Sequence, residues 1–83
     1  MPETAPSPRP FMLPAWRAAA LAYRTARRDG KSHHEAQNAA HMAILAHHPT
    51  LSNDEASEES VKAIAYASTF HAEWLWRGVG SVA

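Results

Sequence analysis

The sequence predicts an all-α fold, a small three-helix bundle in which an αα-hairpin packs on a longer C-terminal helix, preceded by a disordered Pro-rich tail. Three observations predict it. Apolar residues recur at steps of three and four in three separate segments, the spacing of one helical face. Two Ser-x-x-Glu boxes, Ser32 with Glu35 and Ser52 with Glu55, mark helix starts. Gly30, Pro49 and Gly78 stand where helices stop.

The tail comes first. Residues 1–11 hold prolines at 2, 6, 8 and 10, which remove backbone donors and push their predecessors to extended states. The folded domain is expected over residues 12–78, with a short tail over 79–83. Pro14 suits the first turn of a helix, where its missing N–H costs nothing. That helix is expected over about 14–29, with Gly30 as its left-handed C′ residue. Leu13, Trp16, Ala20 and Tyr23 share one face, flanked by Ala19 and Ala26. Arg17, Arg24 and Arg28 form a separate basic edge, and Arg27 and Arg28 suit the negative end of the helix dipole.

The second helix is expected over 32–47, opened by the Ser32/Glu35 box and stopped by Pro49. Its small face, Ala36, Ala39, Ala40 and Ala43 with Ile44, suits close packing on the third helix. Opposite lies a mixed strip of His34, Asn38, His41, Leu45 and His48, with Met42 beside it. The third helix is expected over 53–77, and its stretch Val61 to Arg77 reads as the centre of the fold. Val61, Ile64, Ala65, Ser68, Ala72 and Leu75 make one stripe. Tyr66, Phe70 and Trp74 make a second, aromatic one. Two adjacent apolar stripes call for neighbours on more than one side. With Trp16 and Tyr23 the aromatic stripe reads as core, while the helix end, with Leu75 and Trp76, is expected to overhang the bundle.

Size and composition narrow the function classes. At 83 residues the chain holds one domain at most. A core this small is marginal alone and is commonly supplemented by a disulfide, a metal or a partner chain. There is no cysteine, which excludes disulfides and thiolate metal sites. That fits a reducing compartment, and with no apolar leader or spanning run the chain reads as cytoplasmic, with no membrane partner. Formal net charge is +0, unlike the basic balance of most nucleic-acid binders. The charges are sorted nonetheless. Arg9, Arg17, Arg24, Arg27, Arg28 and Lys31 outnumber Glu3 and Asp29 in residues 1–34, giving about +4 there and about −4 in the remainder.

The six histidines raise a metal site first. No two lie four apart, and His34, His41 and His48 are spaced by about 10 Å along a helix, too far to share an ion. His71 and Glu73 complete such a site only if the helix register allows it. No metal or other cofactor is therefore expected. Protonation of all six would raise the charge, but His47 and His48 at a helix C-terminus and His33 and His34 at an N-terminus respond oppositely. As catalytic candidates, His71 with Glu73, or Ser60 and Ser68, lack any Gly-rich or oxyanion-type turn. Residues two apart on a helix also point away from one another, so the chain reads as non-enzymatic.

The expected function is a small non-catalytic protein–protein interaction module: an adaptor, accessory subunit or inhibitor. Its surface would be His34, Asn38, His41, Met42, Leu45 and His48 of the second helix with Trp76 at the end of the third, the mixed apolar and polar composition that partner surfaces favour. The partner is another protein. Two alternatives stand beside it. One is a helix-turn-helix-like DNA-binding regulator using Arg17, Arg24 and Arg28, against which Glu35 and the lack of Lys or Arg on the second helix speak. The other is a homodimeric structural protein.

Overall fold

A computed structural model describes residues 12–76. Four helices follow one another: α1 (Leu13–Arg28), α2 (His33–His47), α3 (Asn53–Phe70) and the five-residue α4 (Ala72–Trp76). No strand occurs among the described residues, and no helix there is long and apolar enough to cross a membrane. The two expected tails, over 1–11 and 79–83, lie outside the described residues.

Local chemistry sets the helix ends. Pro14 sits in the first turn of α1. At the other end Lys31 N–H donates to Ala26 O and Gly30 N–H to Arg27 O, both at 3.0 Å. These paired bonds satisfy carbonyls that the last turn leaves open, and they require the left-handed φ of +88° that Gly30 adopts. Both capping boxes form in full: the Ser32 and Ser52 hydroxyls accept from Glu35 and Glu55 N–H, and each glutamate accepts from its serine's N–H. The Ser32 N–H is the main cause that holds the Glu35 carboxyl below its ordinary value.

α1 and α3 run in the same direction and α2 runs against them. Trp16, early in α1, reaches Glu59, while Arg24 reaches Trp74; on α2, Gln37 reaches Ser60 and His41 approaches Asn53. Of the 14 buried apolar residues among those described, eight are alanines: Ala15, Ala19, Ala20, Ala36, Ala40, Ala56, Ala63 and Ala67. Alanine faces let helix axes approach closely, and α1, α2 and α3 pack on one another through them. The small face expected of α2 is buried, with Ala36, Ala40 and Ile44 inside and Ala39 and Ala43 half-buried. But α2 pairs more extensively with α1 than with the third helix, on which that face was expected to pack. Larger side chains fill what the alanines leave: Met12, Trp16 and Tyr23 from α1 or its start, Ile44, Ile64 and Leu75.

Several expectations about the third helix need correction. Its buried face is Ala56, Ser60, Ala63, Ile64 and Ala67, not the stripe through Val61, Ala65 and Ala72, all of which are exposed. The aromatic stripe is not core either: Phe70 is 57% and Trp74 39% exposed, and Tyr66 is half-buried. Both α1 and α3 touch every other helix, but the α1–α2 pairing is the most extensive and α1 carries both buried aromatics. The centre of the fold is therefore α1.

The third helix is also not continuous. It ends at Phe70, His71 leaves helical geometry with φ −136° and ψ 37°, and α4 restarts from a Leu75 N–H···O bond to His71. An unbroken helix would aim Leu75 about 80° away from the direction of buried Ala67. The break redirects it inward, and Leu75 is fully buried instead of overhanging. Thr69 and Phe70 just before the break hold a helix weakly, since β-branched and aromatic side chains lose χ1 freedom there. Burying a leucine is worth about 2 kcal/mol, enough to decide between the two geometries.

Two stability outcomes follow from these contacts. Gly30→Ala is expected to lower the unfolding free energy by about 1 kcal/mol. Nothing lies within 4 Å of an added Cβ, so the loss is conformational, and Gly30→Asn should restore part of it in denaturant titration. Leu75→Ala should cost about 3 kcal/mol. An unchanged midpoint for that variant would mean that α4 does not dock.

Candidate functional site

With the alanine faces turned inward, the long side chains of α1 and α3 stand along the seam on the far side from α2. There Leu13, Trp16, Arg17, Ala20 and Leu21 of α1 face Ala63, Tyr66 and Ala67 of α3, and His71 and Trp74 close one end. They enclose a groove of about 420 Å³, within the size range of ligand and docking sites. Ala20, Ala63 and Ala67 are buried and make its floor; the walls are the larger side chains.

The α3 wall is a run of aromatic contacts. Tyr66 packs edge-on against Trp16 at 5.7 Å between ring centroids, and against Phe70 at 5.0 Å and His71 at 5.8 Å. Trp16 is anchored by its indole N–H, which donates to Glu59 Oε1 at 2.8 Å. Glu59 in turn lies 3.8 Å from Lys62 Nζ. At the closed end Arg24 donates from Nε to the Trp74 carbonyl at 3.0 Å, and its Cζ sits 5.0 Å from the centre of the Trp74 ring. Leu21 is 50% exposed. It shares the groove lining with Trp74, and Phe70 packs on Tyr66 beside it. Of the six large apolar side chains left open to water among the described residues, two therefore line the groove and a third adjoins its wall. Such clustering, rather than any single exposed residue, is what marks a contact surface. No carboxylate lines the groove, whereas Arg17 does.

The expected surface on α2 is laid out differently. His34, Asn38 and Met42 are exposed, Met42 by 57%. His41, Leu45 and His48 are half-buried: the His41 ring lies 3.4 Å from Asn53 Oδ1, and Leu45 packs against the core. Trp76 is 41% exposed and stands edge-on to Tyr23 at 6.0 Å. Tyr23 shares a 2.8 Å hydrogen bond with His33 at the start of α2. His33 and Leu45 are about 18 Å apart along that helix, so Trp76 does not join Met42 and Leu45 in one patch. Of the basic edge, Arg17 and Arg28 are exposed and Arg24 is half-buried against Trp74.

Of the residues weighed for chemistry, the two serines are engaged structurally, while His71 and Glu73 are exposed. Ser60 is fully buried, donating to Ser57 O at 2.8 Å and accepting from Gln37 Nε2 at 3.0 Å. Ser68 donates to Ile64 O at 2.8 Å. Among the described residues no three His, Asp or Glu side chains gather to hold an ion.

Compared with protein-family models, curated proteins and solved structures, the chain finds no match.

The groove was not anticipated from the sequence, although its signal was present. Leu21 falls between Arg17 and Arg24 at helical spacing, an apolar residue on an otherwise basic edge, and the aromatic stripe supplies the facing wall. If the rim is a contact surface and not a support of the fold, Leu21→Gln and Phe70→Gln should each shift stability by no more than about 1 kcal/mol. Trp16→Ala, which removes a buried ring, should cost about 3 kcal/mol or more. Thermal unfolding of the three variants reads the contrast.

Proposed function

We propose that the chain is a small non-catalytic protein–protein interaction module, an adaptor, accessory subunit or inhibitor, that seats a helix of another protein in the α1/α3 groove. The observation that carries this reading is an apolar groove of about 420 Å³ lined by Leu21 and Trp74, both exposed, with exposed Phe70 packed behind its Tyr66 wall. Two helices side by side with alanines along the floor leave the space that a third apolar stripe fills in helix-in-groove recognition. Trp74 and Leu21 supply the large side chains that dominate the energy of such contacts, and the half-buried Tyr66 supplies a stiff wall. Met42, isolated on α2, contributes at most an edge to a larger partner.

Affinity capture with purified partners as follow-up tests this reading. A partner held by the wild-type chain and by a Met42→Asp/Leu45→Asp variant, but released by Leu21→Gln/Phe70→Gln, places the contact in the groove. Retention by the groove variant and release by the α2 variant moves it to the second helix and overturns the assignment. Binding energy concentrated in two rim residues should cost about 2 kcal/mol or more when both are replaced, a loss of about thirtyfold in affinity.

A further inference from the structure

The groove carries a charge pattern as well as an apolar one. On the outward face of α1, Arg17, Leu21, Arg24 and Arg28 follow at steps of four, three and four. Arg17 borders the groove and is exposed, and among the described residues no carboxylate pairs with it. Arg24 is held in place by the Trp74 carbonyl at Nε and by the Trp74 ring against its face. These contacts occupy Nε and one face of the guanidinium and leave its two terminal nitrogens able to donate outward. A planar group already fixed by stacking loses little freedom when it pairs.

The facing wall does not cancel this charge. Lys62 Nζ lies 3.8 Å from Glu59, which also accepts from Trp16, and neither residue lines the groove. Glu73 is exposed on α4 but lies outside the lining of the groove. One rim is therefore basic and the floor apolar.

Resting on the reading of the groove as a docking site, we infer that its occupant is an amphipathic helix with an acidic edge. It places apolar side chains against Leu21, Tyr66 and Trp74. Two carboxylates seven residues apart meet Arg17 and Arg24, whose positions on α1 are about 10 Å apart. From Leu13 to Arg24 the rim spans about 16 Å, so three turns of the partner helix suffice. Charge pairing of this kind sets the partner's sign and register while the apolar contact supplies most of the affinity.

The test uses the full chain and two designed peptides of about four turns. They share one leucine stripe; one carries glutamates at i and i+7 along a flank, the other lysines at the same places. Binding is read by tryptophan fluorescence and by calorimetry at low and high salt. The glutamate peptide is expected to bind at least about tenfold more tightly than the lysine peptide, the gap closing as salt rises. Arg17→Glu/Arg24→Glu should reverse the preference, and Leu21→Gln/Phe70→Gln should weaken both peptides.

Equal binding of the two peptides overturns the acidic occupant while leaving the groove as a docking site. Binding that ignores the Leu21/Phe70 variant overturns the groove and the inference together, as does the failure of both peptides to bind. Sedimentation showing a dimer that the Leu21/Phe70 variant dissociates identifies the occupant as a second copy instead. Duplex DNA that binds through Arg17 and Arg24 independently of Leu21 and Phe70 assigns the edge to phosphate and likewise overturns the inference.

Discussion

Close approach of three alanine faces is the constraint on which the rest of this structure depends. Ala15, Ala19 and Ala20 of α1, Ala36 and Ala40 of α2, and Ala56, Ala63 and Ala67 of α3 are all buried. Helices brought together through such faces leave little volume between their axes. Large side chains must then leave the middle of the bundle. Trp16 and Tyr23 remain buried on α1, while Phe70 is left exposed and Trp74 lies on the outer seam. The apolar groove is thus a consequence of a narrow core. Burial per methyl is small, so a core of this composition needs its helices fixed in register by other means.

Polar contacts between helices supply that register. Gln37 on α2 donates to Ser60 on α3 at 3.0 Å, in the middle of the alanine contact, and the Ser60 hydroxyl in turn donates a hydrogen bond to Ser57 O. A buried hydroxyl with both roles filled costs little, whereas a slip of one residue would take Gln37 away from it and forfeit about 1 kcal/mol. Tyr23 and His33 tie α1 to the start of α2, and Trp16 and Glu59 tie α1 to α3. These bonds make aromatic residues specific in position as well as apolar, since each ring has a polar end that must reach its partner. The capping boxes act at a different level, setting where α2 and α3 begin and hence which alanines face one another.

Helix identity and the ends of α1, α2 and the start of α3 were legible because their signals are local. Gly30, Ser32/Glu35, Pro49 and Ser52/Glu55 each act within a few residues of themselves. The inward face of α2 was legible for a related reason, as a cluster of alanines with one isoleucine offers few alternatives. On α3 two adjoining faces compete. Val61, Ala65 and Ala72 are as apolar as Ala56, Ala63 and Ala67, and only the shape of the neighbouring helices decides between them. Size ranked the wrong stripe first: large aromatics look like core by transfer energy, yet alanine faces exclude them by volume. The break at His71 has no glycine or proline to announce it. It arises from Leu75 reaching an interior already defined by α1, a tertiary cause absent from any window of sequence. The groove inherits both uncertainties, being made of the displaced stripe and the segment beyond the break.

The same helix, α1, supplies the buried face and the basic rim, and this joins the proposed site to the fold. Arg24 reaches across to the Trp74 carbonyl on the outside while Leu75, the next residue, is fully buried on the inside. α4 is a single short turn and too brief to persist alone. It is held by one apolar anchor and one guanidinium from opposite sides. The hold orients Trp74 as the closing wall of the groove and orients Arg24 by the stack in return. Neither group is placed by its own helix, because Arg24 is a flexible surface residue without Trp74 and Trp74 follows a break in the chain. Their mutual support therefore depends on the inward packing of Leu75. The geometry of the groove end is accordingly set from the core outward, and a surface built on displaced aromatics acquires a fixed shape and a fixed sign of charge.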